Sequence, residues 1–135
     1  MKKVFVTRKL LKENEEKLKE LFDVKLNPDD KIYSAAEIIE GSKNFDGILS
    51  SVTDPINSET ISKLSSSIKI IANGAVGFGN IDIKAAREKG ITVTNTPDVL
   101  TDATADIQIL LLLGASRKAY EGRICLLYTS PSPRD

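Results

Sequence analysis

Short β-branched runs alternate along this chain with lysine- and glutamate-rich stretches in which an apolar residue recurs every three or four positions. Lys3 to Thr7 (KVFVT) predicts a strand, and Leu10, Leu11, Leu18, Leu21 and Phe22 then fall at helical spacing. Val24 to Leu26 reads as a weak second strand closed by the turn Asn27-Pro28-Asp29-Asp30. Ser34 opens a helix carrying Ile38 and Ile39, with Glu37 placed as in a capping box. Asp46 to Ser50 is the third strand, Asn57 caps a helix through Ile61 and Leu64, and Ile68 to Ala72 is the fourth strand. Asp82 caps a helix that stops at Lys89-Gly90, and Ile91 to Thr94 is the fifth strand.

Five short strands separated by helices imply an α/β fold: a doubly wound parallel sheet. The flavodoxin-like order 2-1-3-4-5 is the expectation. Pro97 then prevents continuation of a ladder, and Thr101 or Asp102 is expected to cap a long helix through Leu113. Its apolar stretch IQILLLLGA reads as core or as a dimer face. There is no internal repeat.

Composition narrows the function. The 135 residues suffice for one domain with a core. Lysine plus arginine and aspartate plus glutamate stand at 19 each, so no charge field steers nucleic acid or a membrane surface. The N-terminus returns to charge too early for a signal peptide, and the longest apolar run, Ile109 to Leu113, is far short of a membrane span. These features predict a cytoplasmic protein. The single cysteine, Cys125, excludes an internal disulfide. Histidine is absent altogether, which removes the commonest acid/base near neutral pH and a frequent metal ligand. No metal site is expected.

In such sheets ligands lie beyond the carboxyl ends of the strands. The loop after the first strand, Thr7-Arg8-Lys9-Leu10, lacks the serine/threonine-glycine pattern of a flavin phosphate site. The acidic residues of a phosphoacceptor receiver are missing too. Ser51-Val52-Thr53-Asp54-Pro55 reads as a pocket rim or as a plain turn leading into the next helix. After the fourth strand comes Asn73-Gly74-Ala75-Val76-Gly77-Phe78-Gly79-Asn80. Its three glycines allow successive backbone amides to form a concave nest for a carboxylate, or else simply turn a corner. The spacing is G-x-x-G-x-G, not the dinucleotide fingerprint.

Two long runs carry a resemblance. ANGAVGFGNID and GITVTNTPDVLTDATAD, together with the KVFVTRKL start, resemble the D-isomer-specific 2-hydroxyacid dehydrogenases, glyoxylate/hydroxypyruvate reductases most closely, over residues 1 to 123. The resemblance implies an oxidoreductase that moves hydride from NADH or NADPH to a small 2-keto acid, glyoxylate or hydroxypyruvate, giving the D-2-hydroxy acid. It implies that the backbone of Ala75, Val76 and Gly77 holds the substrate carboxylate, that Val52 lines the same pocket, and that Val76 and Thr104 face the cofactor. Gly74, commonly aromatic in the family, and Gly79, commonly aspartate, depart from its pattern.

The family's catalytic arginine, glutamate and histidine have no counterpart. Arg8, Arg87, Arg117 and Arg123 lie in other contexts, and no catalytic residue is expected in the chain itself. The reading is therefore an N-terminal portion: residues 1–100 as substrate-binding domain and 101–123 as interdomain helix. A nucleotide domain beyond them would hold most of the cofactor, in a parent protein that forms a homodimer. Residues 124–135, ending in YTSPSPRD, break the preceding pattern and resemble the translation of a sequencing adaptor. Two other readings stand beside this one: an NAD-sensing corepressor-like protein on the same fold, and a stand-alone ligand-binding module.

Overall fold

The computed structural model describes residues 1–128 and contains two compact units, residues 1–99 and the segment from Leu100 onward. The expected tail falls partly on residues 129–135, which lie outside the described residues.

The first unit is a five-stranded, all-parallel sheet in the order β2-β1-β3-β4-β5, as the alternation predicts. Its elements are β1 (Lys3–Val6), α1 (Lys12–Leu21), β2 (Asp23–Lys25), α2 (Ala35–Gly41) and β3 (Gly47–Ser50), followed by α3 (Ser58–Lys63), β4 (Ile70–Asn73), α4 (Ile83–Glu88) and β5 (Thr92–Thr94). Register explains the core. Phe5 pairs with Ile48, Ile48 with Ile71, and Ile71 with Val93, so one apolar row crosses four strands on a single face. That row packs with Ile38, Ile61, Leu64 and Ala86 of α2, α3 and α4 and their flanks. On the opposite face Val4, Leu49, Ile70 and Ala72 border a cleft of about 480 Å³ alongside Leu18 and Phe22.

The helix starts follow from local chemistry. Ser34 and Glu37 form the reciprocal capping box, Asn57 accepts from the Thr60 amide at 2.9 Å, and Asp82 accepts from the Ala85 amide at 2.9 Å. Gly90, at φ +72°, takes the left-handed conformation that ends α4. Gly41 is required for a different reason: a Cβ there would sit 2.7 Å from Phe5 Cζ.

Lys89 closes α3 from a neighbouring helix. Its Nζ donates to the carbonyls of Ile61, Ser62 and Leu64 at 2.6, 2.8 and 2.6 Å, all at the C-terminus of α3. Lys89→Ala is expected to lower stability by about 1–3 kcal/mol, read as a drop in urea midpoint at unchanged slope.

The second unit comprises α5 (Thr101–Ser116) and α6 (Ala119–Tyr128), separated by Lys118 at φ +50°. The expected cap is corrected here. Leu100 occupies the N-cap position with no side-chain bond, and Thr101 and Asp102 lie inside the first turn. Ile109 through Leu113 occupy five successive positions, which at 3.6 residues per turn surround the helix with apolar side chains, all exposed. α6 runs through Cys125, where the sequence shows no helical period.

Candidate functional site

The carboxyl ends of β1, β3, β4 and β5 carry four loops whose polar side chains bond mainly to one another's backbone. Between β3 and α3, Asp54 is fully buried. Its Oδ2 accepts from Thr7 Oγ1 at 2.5 Å and from the Ser51 amide at 2.7 Å, tying this loop to the end of β1. Its Oδ1 has no partner among the described residues. Val52 sits on the turn that Asp54 closes and is 56% exposed.

The β3–α3 loop is joined in turn to the loop after β4. Asn80 Nδ2 donates to the carbonyls of Ser51 at 2.9 Å and Asp54 at 3.2 Å, the Ile56 amide donates to the Asn80 carbonyl, and the Asp82 amide donates to that of Ile56. The Gly74 amide donates to the Ser50 carbonyl at 2.8 Å. The sequence therefore brings Val52 and the 75–77 segment onto two loops bonded along their length.

From Ala75 to Gly77 the carbonyls are occupied and the amides are not. The carbonyl of Ala75 accepts from the Thr96 amide at 3.0 Å, that of Val76 from Asn95 Nδ2 at 2.8 Å, and that of Gly77 from Asn73 Nδ2 at 2.8 Å. The amides of Ala75, Val76 and Gly77 donate to no acceptor among the described residues. A run of free amides backed by gripped carbonyls offers donors that suit an anion, since each charge-assisted bond contributes about 1.5–3 kcal/mol.

The glycines act otherwise than a nest requires. No residue of the loop has positive φ; Gly90 alone does among the described glycines. Their contribution is space: a Cβ added at Gly77 or Gly79 would meet nothing within 4 Å, so the backbone lies open to a ligand.

A pocket of about 230 Å³ opens among the strand ends, lined by Val6, Arg8, Lys9, Leu49, Ser51 and Gly74 among others. Arg8 is already engaged. Its Nε and Nη2 donate to both Asp30 oxygens at 2.8 and 2.9 Å, and Nη1 donates to Thr53 Oγ1 at 2.9 Å. The hydrogen bonds to Asp30 raise the guanidinium pKa and hold the Asp30 carboxyl well below the usual range. Asp30 also accepts from the Lys9 amide, which pins the β1 loop.

Glu37 is likewise held down, to about 2, first by its hydrogen bond from Lys31 and then by the Ser34 backbone. A carboxylate whose folded pKa is depressed stabilises the fold above its ordinary value, 4.5 for Glu37, and loses that contribution as pH falls through about 2. Asp30, Asp46 and Glu59 are shifted in the same direction. The urea midpoint is therefore expected to fall steadily between those two pH values, and Glu37→Gln to flatten part of that slope.

Of the residues singled out in the sequence, Val52, Ala75, Val76 and Gly77 lie on adjoining loops of the first unit. Thr104 lies exposed in the second unit, one turn into α5. Thr7, Asp54, Asn73, Asn80 and Asn95 entered the sequence reading only as members of their loops, with no role of their own. The signal they offer is a polar side chain where a buried strand ends, as at Thr7 and Asn73, which are 0% and 2% exposed. No group of three or more possible metal-ligating side chains occurs among the described residues, and no described helix is long and apolar enough to cross a membrane.

Comparison with known proteins gives a consistent result. The D-isomer specific 2-hydroxyacid dehydrogenase catalytic-domain family matches residues 4–129. A glyoxylate reductase from Korarchaeum cryptofilum is 42% identical over 119 residues, covering 88% of this chain and 36% of that protein. Among solved structures, an NAD-binding D-isomer specific 2-hydroxyacid dehydrogenase from Polaromonas sp. JS6 66 superposes with a TM-score of 0.85 at 34% identity, covering 98% of this chain and 43% of that one. A glyoxylate reductase from Paecilomyes thermophila gives a TM-score of 0.77 at 28% identity, covering 93% and 41%. The chain thus spans about a third of the curated relative's length.

Proposed function

Because the chain belongs to the D-isomer-specific 2-hydroxyacid dehydrogenases, we propose that it forms the carboxylate-holding half of a site where a small 2-keto acid, glyoxylate or hydroxypyruvate, is reduced to the D-2-hydroxy acid. The observation that carries this reading is the loop at Ala75, Val76 and Gly77, whose amides are free while its carbonyls are gripped. Val52 borders the same substrate on the adjoining loop.

Nicotinamide, when bound, supplies the hydride. The open space at Gly77 and Gly79 suits the approach of a flat ring, and Val76 between them and Ala75 is proposed as its contact. Thr104 is proposed as a further cofactor contact. This chain's own part is to bind and orient. With no histidine present and Arg8 committed to Asp30, the proton and the carbonyl-polarising charge come from protein outside these residues. In that arrangement residues 1–100 are the substrate-binding domain and 101–123, which the structure divides into α5 and the start of α6, the interdomain segment.

The purified 135-residue chain is accordingly expected to show no glyoxylate-dependent oxidation of NADH or NADPH. A chimera in which residues 1–123 replace the matching segment of the Korarchaeum cryptofilum glyoxylate reductase is expected to show it. A folded but inactive chimera, or turnover by the isolated chain, would contradict the assignment.

A further inference from the structure

Each trans peptide unit points its carbonyl and the following amide in opposite directions, so fixing one fixes the other. Three consecutive units are fixed in the loop after β4. Thr96 N holds the Ala75 carbonyl, Asn95 Nδ2 the Val76 carbonyl and Asn73 Nδ2 the Gly77 carbonyl, at 3.0, 2.8 and 2.8 Å. The amides paired with those carbonyls belong to Val76, Gly77 and Phe78. No such grip is seen on the Gly74 carbonyl, so the Ala75 amide is not set in this way.

We propose that Asn95 and Asn73 are positioning residues that, together with the Thr96 amide, set the polarity of this loop: Asn95 turns the Gly77 amide, Asn73 the Phe78 amide and Thr96 the Val76 amide toward the substrate carboxylate. The proposal rests on the carboxylate reading above and adds which groups orient the donors. The need for such groups is physical. Glycine at 74, 77 and 79 leaves the backbone few steric restraints, and a peptide free to rotate would present its carbonyl lone pairs to an anion as readily as its N–H.

A side-chain amide suits the task, because its NH2 donates to a carbonyl while its oxygen can be anchored elsewhere. At Asn73 that anchor is visible: Ser50 Oγ donates to Asn73 Oδ1 at 3.2 Å, holding Nδ2 on the Gly77 carbonyl. Asn73 is buried at the end of β4, and Asn95 is half-buried just past β5, so the loop is gripped from two neighbouring strands. Aspartate at either place would keep the shape and abolish the donor.

The test is a titration of the ¹⁵N-labelled 135-residue chain with sodium oxamate, followed by amide shifts. In the wild type the Val76, Gly77 and Phe78 resonances are expected to move together. Asn95→Ala and Asn73→Asp are expected to weaken oxamate binding about tenfold or more, corresponding to about 1.4 kcal/mol. Lys89→Ala is the control: it destabilises the same unit away from the loop and is expected to bind oxamate like the wild type. Should Asn73→Asp fail to fold, Asn95→Ala decides. Folded variants that bind as the wild type does, or an equal loss in Lys89→Ala, would overturn the positioning role while leaving the carboxylate reading intact. A wild-type chain silent to oxamate would instead remove the carboxylate reading and this role with it.

Discussion

Phe5→Ala is expected to cost the first unit about 3–5 kcal/mol, most of the stability of an ordinary domain. Phe5 is the largest side chain in the row that crosses the sheet, at 1% exposure, and its ring meets Tyr33 at 5.6 Å and Phe45 at 5.7 Å between centroids. Lys25 Nζ lies 5.3 Å from the ring centre on the adjoining strand. The cavity would also strand Gly41, whose missing side chain exists to admit this ring. With a urea slope of about 1–3 kcal/mol per molar, the midpoint should fall by about 2 M. A fall of less than about 0.5 M would mean that α2 collapses onto the sheet without it.

Val76→Pro is expected to weaken carboxylate binding by about tenfold or more while leaving the fold in place. Proline deletes the amide at the centre of the proposed cradle and keeps the carbonyl that Asn95 grips. The loop contains no positive φ, so a left-handed backbone is no obstacle to the substitution. Loss of one charge-assisted bond of about 1.5–3 kcal/mol corresponds to about a 10- to 150-fold weaker affinity. Val76→Ala, which retains the amide, should bind oxamate within a few-fold of the wild type. Equal binding by the proline variant would place the anion elsewhere.

The starts of α2, α3 and α4 and the end of α4 were legible because their causes are local. Ser34 with Glu37, Asn57, Asp82 and Gly90 each satisfy a helix end within a few residues, and each does so in the structure. Strand boundaries moved by one or two positions. β4 begins at Ile70 instead of Ile68 and β2 ends at Lys25 instead of Leu26, since apolar residues continue into the turns that flank a strand. The expected caps of α5 failed because Thr101 and Asp102 carry the right side chains one step too far into the helix.

The site was half legible. The glycines pointed to a concave amide nest or a plain corner, and the backbone takes its polarity without positive φ. What sets that polarity is not local. Asn95 is 19 residues from the carbonyl it holds, and Asn80 is 29 from Ser51. Such bonds depend on which strands lie side by side, so no periodicity or spacing records them. α6 escaped for the opposite reason: its apolar residues follow no face, and a helix without a face has no period to read.

The most direct test of the account is the amide spectrum of the wild-type chain with and without oxamate. The account predicts saturable shifts confined to the loop after β4, centred on Val76 and Gly77, with smaller ones at the adjoining Val52. Shifts centred instead on Lys9, Arg8 or Arg87, or none at any concentration up to ~0.1 M, where even a ~10 mM site would be nearly full, would contradict it.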